Sequence, residues 1–188
     1  MQLLPITALE AGLERVEGSP ADDGVVELIV RRPRENEREA LTEGTLDLVE
    51  GLVSDDWRAR GSGSTPDGRA NPEAQVTLMN VRAAALVAGD PERRSLAGDQ
   101  FYVDLDLSVD NLPPGSRIRL GTAVVEISAK PHTGCAKFSA RFGADALRFV
   151  NSPVGRAMRL RGVNAKVVSA GSVRVGDAVR KAPAPSKV

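Results

Sequence analysis

The sequence predicts a mainly β fold, a β-rich α+β arrangement in which short strands form a closed or nearly closed β-barrel with a few short helices. Three observations support this fold class. Short runs of β-branched and apolar residues recur along the chain, helical periodicity is confined to a few segments, and glycine turns separate the runs. Many short strands joined by such turns are typical of small barrels. A length of 188 residues is enough for one domain with a substantial core.

Five segments have the residue pattern of strands. Residues 25–30 are a compact β-branched run, and residues 101–107 alternate apolar and acidic side chains from Val103 onward. Residues 117–120 and 123–127 form two more predicted strands, which Gly121 and Thr122 join. Residues 75–79 are predicted to form a strand that leads into a short alanine-rich helix over residues 81–87.

Two further patterns lie in the C-terminal half of the chain. Phe138, Phe142, Ala146 and Val150 recur at every fourth position, which places them on one face of a predicted helix. Residues 165–168 and 173–175 are interpreted as a hairpin-like pair of strands. Earlier in the chain, residues 41–52 fit either the helical or the strand period, so their structure stays open.

The chain is expected to be a single domain over residues 1–188. Residues 1–23 precede the first predicted strand and are expected to be an N-terminal extension, and residues 181–188 are expected to be a C-terminal tail. Residues 58–74 are predicted to be a flexible loop, because glycine, serine and proline are frequent there. Long loops of this kind in compact domains are often lids or binding loops, and sometimes disordered.

Composition argues against several classes of function. The 25 basic and 25 acidic side chains balance and aromatic residues make up 3% of the chain, so no nucleic-acid partner is expected. No apolar run approaches the roughly 20 residues of a membrane span, so no membrane partner is expected either. The N-terminus lacks the pattern of a signal peptide and the chain has one cysteine, which together predict a cytoplasmic protein.

The one cysteine, Cys135, lies in a polar loop between a strand pattern and a helix pattern, with Lys130 and Lys137 on either side. Nearby lysines and backbone N–H groups favour the thiolate, which is the form that attacks electrophiles and binds metals. A free cysteine is usually a small buried apolar residue. The polar neighbours of Cys135 favour a functional thiol over that interpretation.

Three kinds of chemistry compete at Cys135. A closed zinc site needs four donors, and the chain has one histidine and one cysteine, so zinc is disfavoured. In a Cys–His nucleophile pair, His132 would take the thiol proton. Alternatively, the thiolate is a ligand to a soft transition metal within a cofactor that brings its other ligands. The residues alone do not choose between the second and third interpretations.

The order of several short motifs resembles the MOSC domain, the module named after the C-terminal part of molybdenum cofactor sulfurase. The resembling features include a strand pair around Gly121, a basic loop that ends in Cys135, and a helix that opens with Lys137 and Phe138. The likeness spans about residues 24–179 and is to stand-alone bacterial members. Further matching segments are residues 24–33, 51–57, 75–80, 160–165 and 171–177.

This resemblance implies a β-rich barrel that binds molybdenum cofactor (molybdopterin) or a sulfurated form of it. It also implies that Cys135 ligates molybdenum, as in reductase members, or carries sulfur, as proposed for sulfurase-type members. The chain is then a cofactor-dependent reductase, a sulfurtransferase, or a cofactor carrier without turnover. A metal-free thiol or persulfide protein is the remaining alternative. An electron-transfer or sulfur-donor protein is an expected partner of the enzymatic forms, beside the small-molecule cofactor or substrate.

The candidate site residues follow from the needs of such a cofactor. Cys135 is the candidate metal ligand and, with His132 as a proton donor, the candidate catalytic residue. Cations and N–H groups would bind the phosphate, and polar groups would bind the pterin. The candidate cofactor-binding residues are Asn80, Arg82, Lys130, Thr133, Gly134, Lys137, Arg161 and Gly162.

Overall fold

Eleven strands make up the β structure of the computed structural model, which describes residues 3–183. They are β1 (Gly24–Arg31), β2 (Glu39–Leu41), β3 (Glu43–Asp47), β4 (Gly51–Leu52), β5 (Val76–Asn80), β6 (Phe101–Asp104), β7 (Arg117–Leu120), β8 (Ala123–Ile127), β9 (Val163–Ser169), β10 (Gly171–Arg174) and β11 (Ala178–Ala182). The five predicted strand segments correspond to β1, β5, β6, β7 and β8. The segment that fitted both periods, residues 41–52, forms the strands β3 and β4 and the end of β2.

Seven of these strands close into a barrel. They pair in the order β1-β6-β5-β9-β8-β7-β11, and β11 pairs back to β1 through Gly24 with Val179 and Val25 with Ala178. The pairs in this ring are antiparallel except for β5 with β6, which is parallel. The predicted β-rich barrel with a few short helices is therefore confirmed.

Side chains point alternately to the inside and the outside of the barrel along each strand, and the two sets form two buried clusters. Val26 and Ile29 of β1 and Leu78 of β5 belong to the apolar cluster inside the barrel and are fully buried. Met79 and Tyr102 belong instead to a second buried cluster, which lies between the barrel and the helices. Because successive side chains of a strand point to opposite faces, one strand contributes to both clusters.

Helices contribute much of this second cluster, with buried residues such as Leu9, Val16, Ala84 and Phe142. Phe138, Phe142, Ala146 and Val150 are all buried, as their spacing predicted. The helical elements are α1 (Ile6–Ala11), α2 (Leu13–Glu17), α3 (Trp57–Arg60), α4 (Val81–Ala88), α5 (Ala136–Asn151) and α6 (Pro153–Ala157), with short 3-10 helices at Pro72–Ala74 and Pro91–Ala97. Gly143 interrupts α5 with a φ of 91°, which divides it into two helical segments.

The predicted hairpin of residues 165–168 with 173–175 is wrong. These residues lie in β9 and β10, but β9 pairs with β5 and β8, whereas β10 pairs with β3 in a separate three-stranded sheet. The chain changes sheet at Gly171, where a Cβ atom would lie 2.6 Å from the backbone nitrogen of Ala123. The turn between β7 and β8 therefore passes close to the backbone at Gly171, where the chain leaves β9 and enters β10.

The peripheral segments are also structured. Residues 3–23 contain α1 and α2, and Leu9 is fully buried against the barrel wall. Residues 58–74, predicted to be a flexible loop, include the rest of α3 and a 3-10 helix. The predicted tail over residues 181–188 begins within β11, and its last five residues lie outside the described part. Among residues 3–183, no helix has both the length and the apolar character needed to cross a membrane.

Candidate functional site

Cys135 is exposed at the start of α5, after the loop that leaves β8. It occupies the N-cap position in an extended conformation, with φ of −124° and ψ of 179°, and its carbonyl accepts the first helical hydrogen bond from Ser139. The thiol therefore faces outward from the domain, where a ligand can reach it.

Two asparagine side chains fix the loop that presents the thiol. Asn151, at the end of α5, accepts a hydrogen bond from the Gly134 N–H at 2.9 Å and donates one to the Gly134 carbonyl at 3.1 Å. Asn164, on β9, donates to the carbonyls of Lys130 and Pro131 at 3.1 and 3.2 Å. The loop is thus held before any ligand binds, which lowers the entropy cost of binding. In this arrangement, the N–H of Gly134 is already paired within the protein.

A cavity of about 250 Å³ lies beside the thiol, and we call it the cysteine cavity. Seven of its lining residues are basic and two are acidic, so its charge favours an anion. It brings together four of the sequence-predicted residues, Cys135, His132, Lys137 and Arg161. Its lining consists of Arg32, Arg34, Glu35, Asn36, Arg38, Asp56, Arg60, Thr77, Ala97, Gly98, His132, Cys135, Lys137, Phe138, Arg141 and Arg161.

Most of the basic side chains in the cysteine cavity have carboxylate partners. Arg32 forms a two-point ion pair with the buried Asp55, with contacts of 2.9 and 2.7 Å, and Lys137 pairs with Glu35 at 2.7 Å. Arg60 pairs with Asp56 at 2.7 Å. The Arg32 pair is buried and joins β1 to the segment before α3, so its role is structural.

Arg38 and Arg141 differ from these, because neither has a carboxylate partner among the described residues. Both guanidinium groups lie near Gly98, and each has a nitrogen 3.6 Å from the position that a Cβ atom would take there. The Arg38 Nε is buried without a hydrogen-bond partner. Burial, with the charges of Arg141 and Arg32, lowers the pKa of Arg38. Two uncompensated guanidinium groups side by side form a candidate subsite for phosphate.

A buried polar cluster forms the floor of the cysteine cavity. Arg161 donates to Asp99 at 2.6 Å and to the carbonyl of Ala97 at 2.9 Å, and its guanidinium lies over the ring of Phe138. The second oxygen of Asp99 lies 3.4 Å from Nδ1 of His132, and neither of these two atoms has a hydrogen-bond partner. Arg161 is therefore at the site, but Asp99 already neutralises its charge.

His132 is held in its neutral form by these surroundings. Burial and the charge of Arg161 lower its pKa to about 3, although Asp99 acts in the opposite direction. A neutral imidazole has one N–H donor and one acceptor nitrogen. At neutral pH His132 therefore offers a hydrogen bond to a ligand beside Cys135 rather than a positive charge.

A second cavity has a volume of about 430 Å³, and His132 lines both this cavity and the cysteine cavity. We call it the second cavity. It contains the sequence-predicted residues Lys130, Thr133 and Gly162. Its lining consists of Val109, Pro114, Ser128, Ala129, Lys130, Pro131, His132, Thr133, Val150, Gly155, Arg156, Arg159, Gly162, Val163 and Asn164.

Asn80 and Arg82 line neither cavity. The Asn80 side chain caps α4 by accepting hydrogen bonds from the N–H groups of Arg82 and Ala83, and its amide donates to Ser19 and to the Leu105 carbonyl. Arg82 forms a two-point ion pair with Asp104, at 2.8 Å for both contacts. These bonds give both residues a structural role at the junction of β5 and α4.

Gly162 has a φ of 100°, and a Cβ atom there would lie 2.2 Å from the carbonyl oxygen of Leu78. The sequence predicted a cofactor-binding role for this glycine. In the structure, the backbone that approaches it is that of β5 in the same chain. Gly162 therefore lets β9 begin against β5, and this role needs no ligand.

Sequence reasoning missed Arg38, Arg141 and Asp99. Arg141 follows Lys137 by four positions, so both lie on one helical face next to Cys135, and this spacing was a usable signal. Arg38 lies in the charged run of residues 31–39, a pattern typical of a solvated turn or linker. Asp99 lies between a 3-10 helix and β6, and no local pattern indicates that it meets Arg161, 62 positions away.

The protein's own side chains do not form a closed metal site. Within residues 3–183, no group of three His, Cys, Asp or Glu side chains is placed to hold a metal ion. A metal at Cys135 would therefore need further ligands from a cofactor.

Comparisons with known proteins agree on the fold and the family. YuaD from Bacillus subtilis is similar in structure, with a TM-score of 0.64 and 16% identity over 83% of this chain and 93% of that one. YiiM from Escherichia coli has a TM-score of 0.56 and 17% identity over 87% and 72% of the two chains. YiiM from Geobacillus stearothermophilus has a TM-score of 0.53 and 14% identity over 88% and 75%. No curated protein matches this sequence.

The model of the MOSC domain matches residues 55–180, which is more than half of the chain. The match includes the loop of Cys135, the helix α5 and the strands from β5 to β10. It agrees with the resemblance that the motif order indicated. This chain belongs to the MOSC domain family.

Proposed function

We propose that the protein binds molybdenum cofactor in the cysteine cavity, with the Cys135 thiolate as a ligand to the metal. The observation that carries the proposal is the position of Arg38 and Arg141, two guanidinium groups without carboxylate partners that line the same cavity as the exposed thiol. A soft metal and a phosphate need these two kinds of group. The MOSC family is associated with this cofactor, which supports the assignment.

The residues of the cavity fit the chemistry of the cofactor. The Arg38 Nε has no acceptor, and the guanidinium nitrogens of Arg38 and Arg141 near Gly98 add hydrogen-bond capacity for a phosphate. Cys135 supplies one sulfur, and the dithiolene of the cofactor would supply others. Asn36 and Lys137 also line the cavity and would offer polar groups to the pterin.

Each residue then has a defined task. Cys135 holds the metal as a thiolate, while Arg38 and Arg141 bind the phosphate. His132, which is neutral, donates or accepts a hydrogen bond beside the metal. The cofactor, when bound, supplies the redox chemistry or the transferable sulfur. We propose a reductase or sulfurtransferase in the cytoplasm that works with an electron-transfer or sulfur-donor protein. A carrier that binds the cofactor without turnover would use the same contacts.

The test measures molybdenum and pterin in protein from a host that makes the cofactor. We expect molybdenum in the wild type, a loss of molybdenum in Cys135→Ser, and a loss of both metal and pterin in the double variant Arg38→Gln, Arg141→Gln. Arg148→Gln is the matched control, because this exposed arginine of α5 pairs with Asp145 and lines neither cavity. Equal molybdenum in the wild type and Cys135→Ser would refute thiolate ligation.

Turnover distinguishes the enzyme from the carrier. The fully loaded protein is assayed with N-hydroxylated substrates and an electron donor. Reduction that Cys135→Ser abolishes supports the enzymatic role. Full metal loading without turnover supports the carrier. Wild-type protein that contains no metal supports the metal-free thiol or persulfide protein instead.

A further inference from the structure

The second cavity has the form of a binding site in its own right. Its volume of about 430 Å³ falls within the range of small-molecule sites, roughly 300–1,000 Å³. Val109, Pro114, Val150 and Val163 give it apolar walls, and β9 and the fixed loop before Cys135 surround it. Such walls suit the apolar body of an organic molecule.

The charged residues that line the second cavity are all basic. Lys130, Arg156 and Arg159 line it, and none of the described residues that line it is acidic. The Lys130 ammonium donates to the hydroxyl of Ser64 at 3.1 Å and pairs with no carboxylate among the described residues. Three cations beside apolar walls, without a counter-charge in the lining, favour an anionic group of a ligand.

Arg159 is the most constrained of these cations. It has a φ of 49°, in the left-handed region that residues other than glycine rarely adopt. Its guanidinium donates to the carbonyls of Leu107 and Leu112, at 3.3 and 2.6 Å, through one nitrogen. Burial without a compensating carboxylate lowers its pKa. A strained backbone that holds a half-buried, uncompensated cation in a cavity is typical of a functional site.

We propose that the second cavity binds a small organic anion, with an apolar body against Val109, Pro114 and Val163 and a carboxylate or phosphate head against Arg156 and Arg159. Residue His132 lines both cavities, so the ligand would lie next to the loop that leads to Cys135. Binding requires neither the cofactor nor the thiol. The proposal can therefore be tested on the metal-free protein, separately from the proposed function.

The experiment titrates the full-length, ¹⁵N-labelled protein with 1-naphthoate, 1-naphthyl phosphate and the neutral 1-naphthamide, followed by NMR. We expect the better of the two anions to bind at least about tenfold more tightly than the amide, which corresponds to about 1.4 kcal/mol. The amide signals that shift should be those of Thr133, Gly162 and Val163. Whichever anion binds more tightly identifies the head group.

Three variants test where the ligand binds. Arg156→Gln should weaken binding of the anions severalfold without an effect on the amide. Arg148→Gln changes an exposed arginine outside both cavities and should leave all affinities unchanged. Cys135→Ser should also leave them unchanged, since the sulfur lines the other cavity. Equal affinity for 1-naphthamide, no effect of Arg156→Gln, or a loss of binding in Cys135→Ser would each overturn the proposal.

Discussion

His132 is the only histidine in the chain, so NMR can follow its protonation without ambiguity. With its pKa lowered to about 3, its imidazole signals should not titrate between pH 8 and pH 5. Arg161→Gln should raise this pKa, because the charge of Arg161 is the second-largest cause of the shift after burial. Asp99→Asn should not raise it, because Asp99 opposes the shift. A wild-type transition near the ordinary value of 6.5 would contradict the buried, neutral imidazole.

The same residue links stability to pH. Below pH 6.5 the unfolded chain binds a proton at His132, whereas the folded protein does not until the pH approaches 3. Within this window His132 should lower the free energy of unfolding by up to about 1.4 kcal/mol for each pH unit of acidification. Urea unfolding of the wild type and His132→Asn at pH 7 and pH 5 isolates this contribution. An unchanged pH dependence in the variant would show that other groups cause it.

At the scale of elements, Gly162 fixes how closely β9 approaches β5. A Cβ atom at this position meets the Leu78 carbonyl at 2.2 Å. Gly176 has a similar φ, 92° against 100°, but no atom lies within 4 Å of its Cβ position. Gly162→Ala and Gly176→Ala therefore share the backbone strain, and only the first adds a steric clash. We expect Gly162→Ala to unfold at a lower urea concentration, with an additional loss of about 2 kcal/mol or more. Equal losses in the two variants would contradict this contact.

The elements also show where sequence reasoning was sufficient. The strands β1 and β5 are visible in the sequence as short, mostly apolar runs, and the buried face of α5 is visible because its apolar residues recur at every fourth position. The pairing of β10 with β3 is not visible, because Thr45 and Ser172 face each other across 127 positions. Local periodicity identifies a strand, but it contains no information about a distant partner.

The same limit applies to the candidate site. Cys135 was recognisable because a thiol among polar neighbours is unusual at the level of local sequence. The proposed phosphate subsite was not recognisable, because it combines Arg38, from the segment after β1, with Arg141, from α5. Only the folded chain brings these two side chains to Gly98. Asn80 and Arg82 were expected to bind the cofactor. In the structure, their polar groups are already occupied by hydrogen bonds and an ion pair within the fold.

For the whole molecule, the charge distribution matters more than the net charge. The formal net charge is zero, yet both cavities next to His132 have an excess of basic residues. Most of the acidic residues therefore lie outside the two cavities, for example in the ion pairs of Asp104 with Arg82 and of Asp23 with Arg180. A balanced composition argues against a uniformly basic surface, and it is compatible with local anion sites.

Closure of the barrel depends on β11, which pairs with both β1 and β7. Val179 lies at this closure, opposite Gly24 on one side and Leu120 on the other, and it is fully buried. Its neighbour Ala178 is exposed on the same strand. Val179→Asp places a carboxylate inside the barrel and should reduce the free energy of unfolding by about 3 kcal/mol or more, whereas Ala178→Asp should change it by about 0.5 kcal/mol or less. Urea unfolding monitored by circular dichroism measures both, and similar effects of the two substitutions would mean that β11 does not close the barrel.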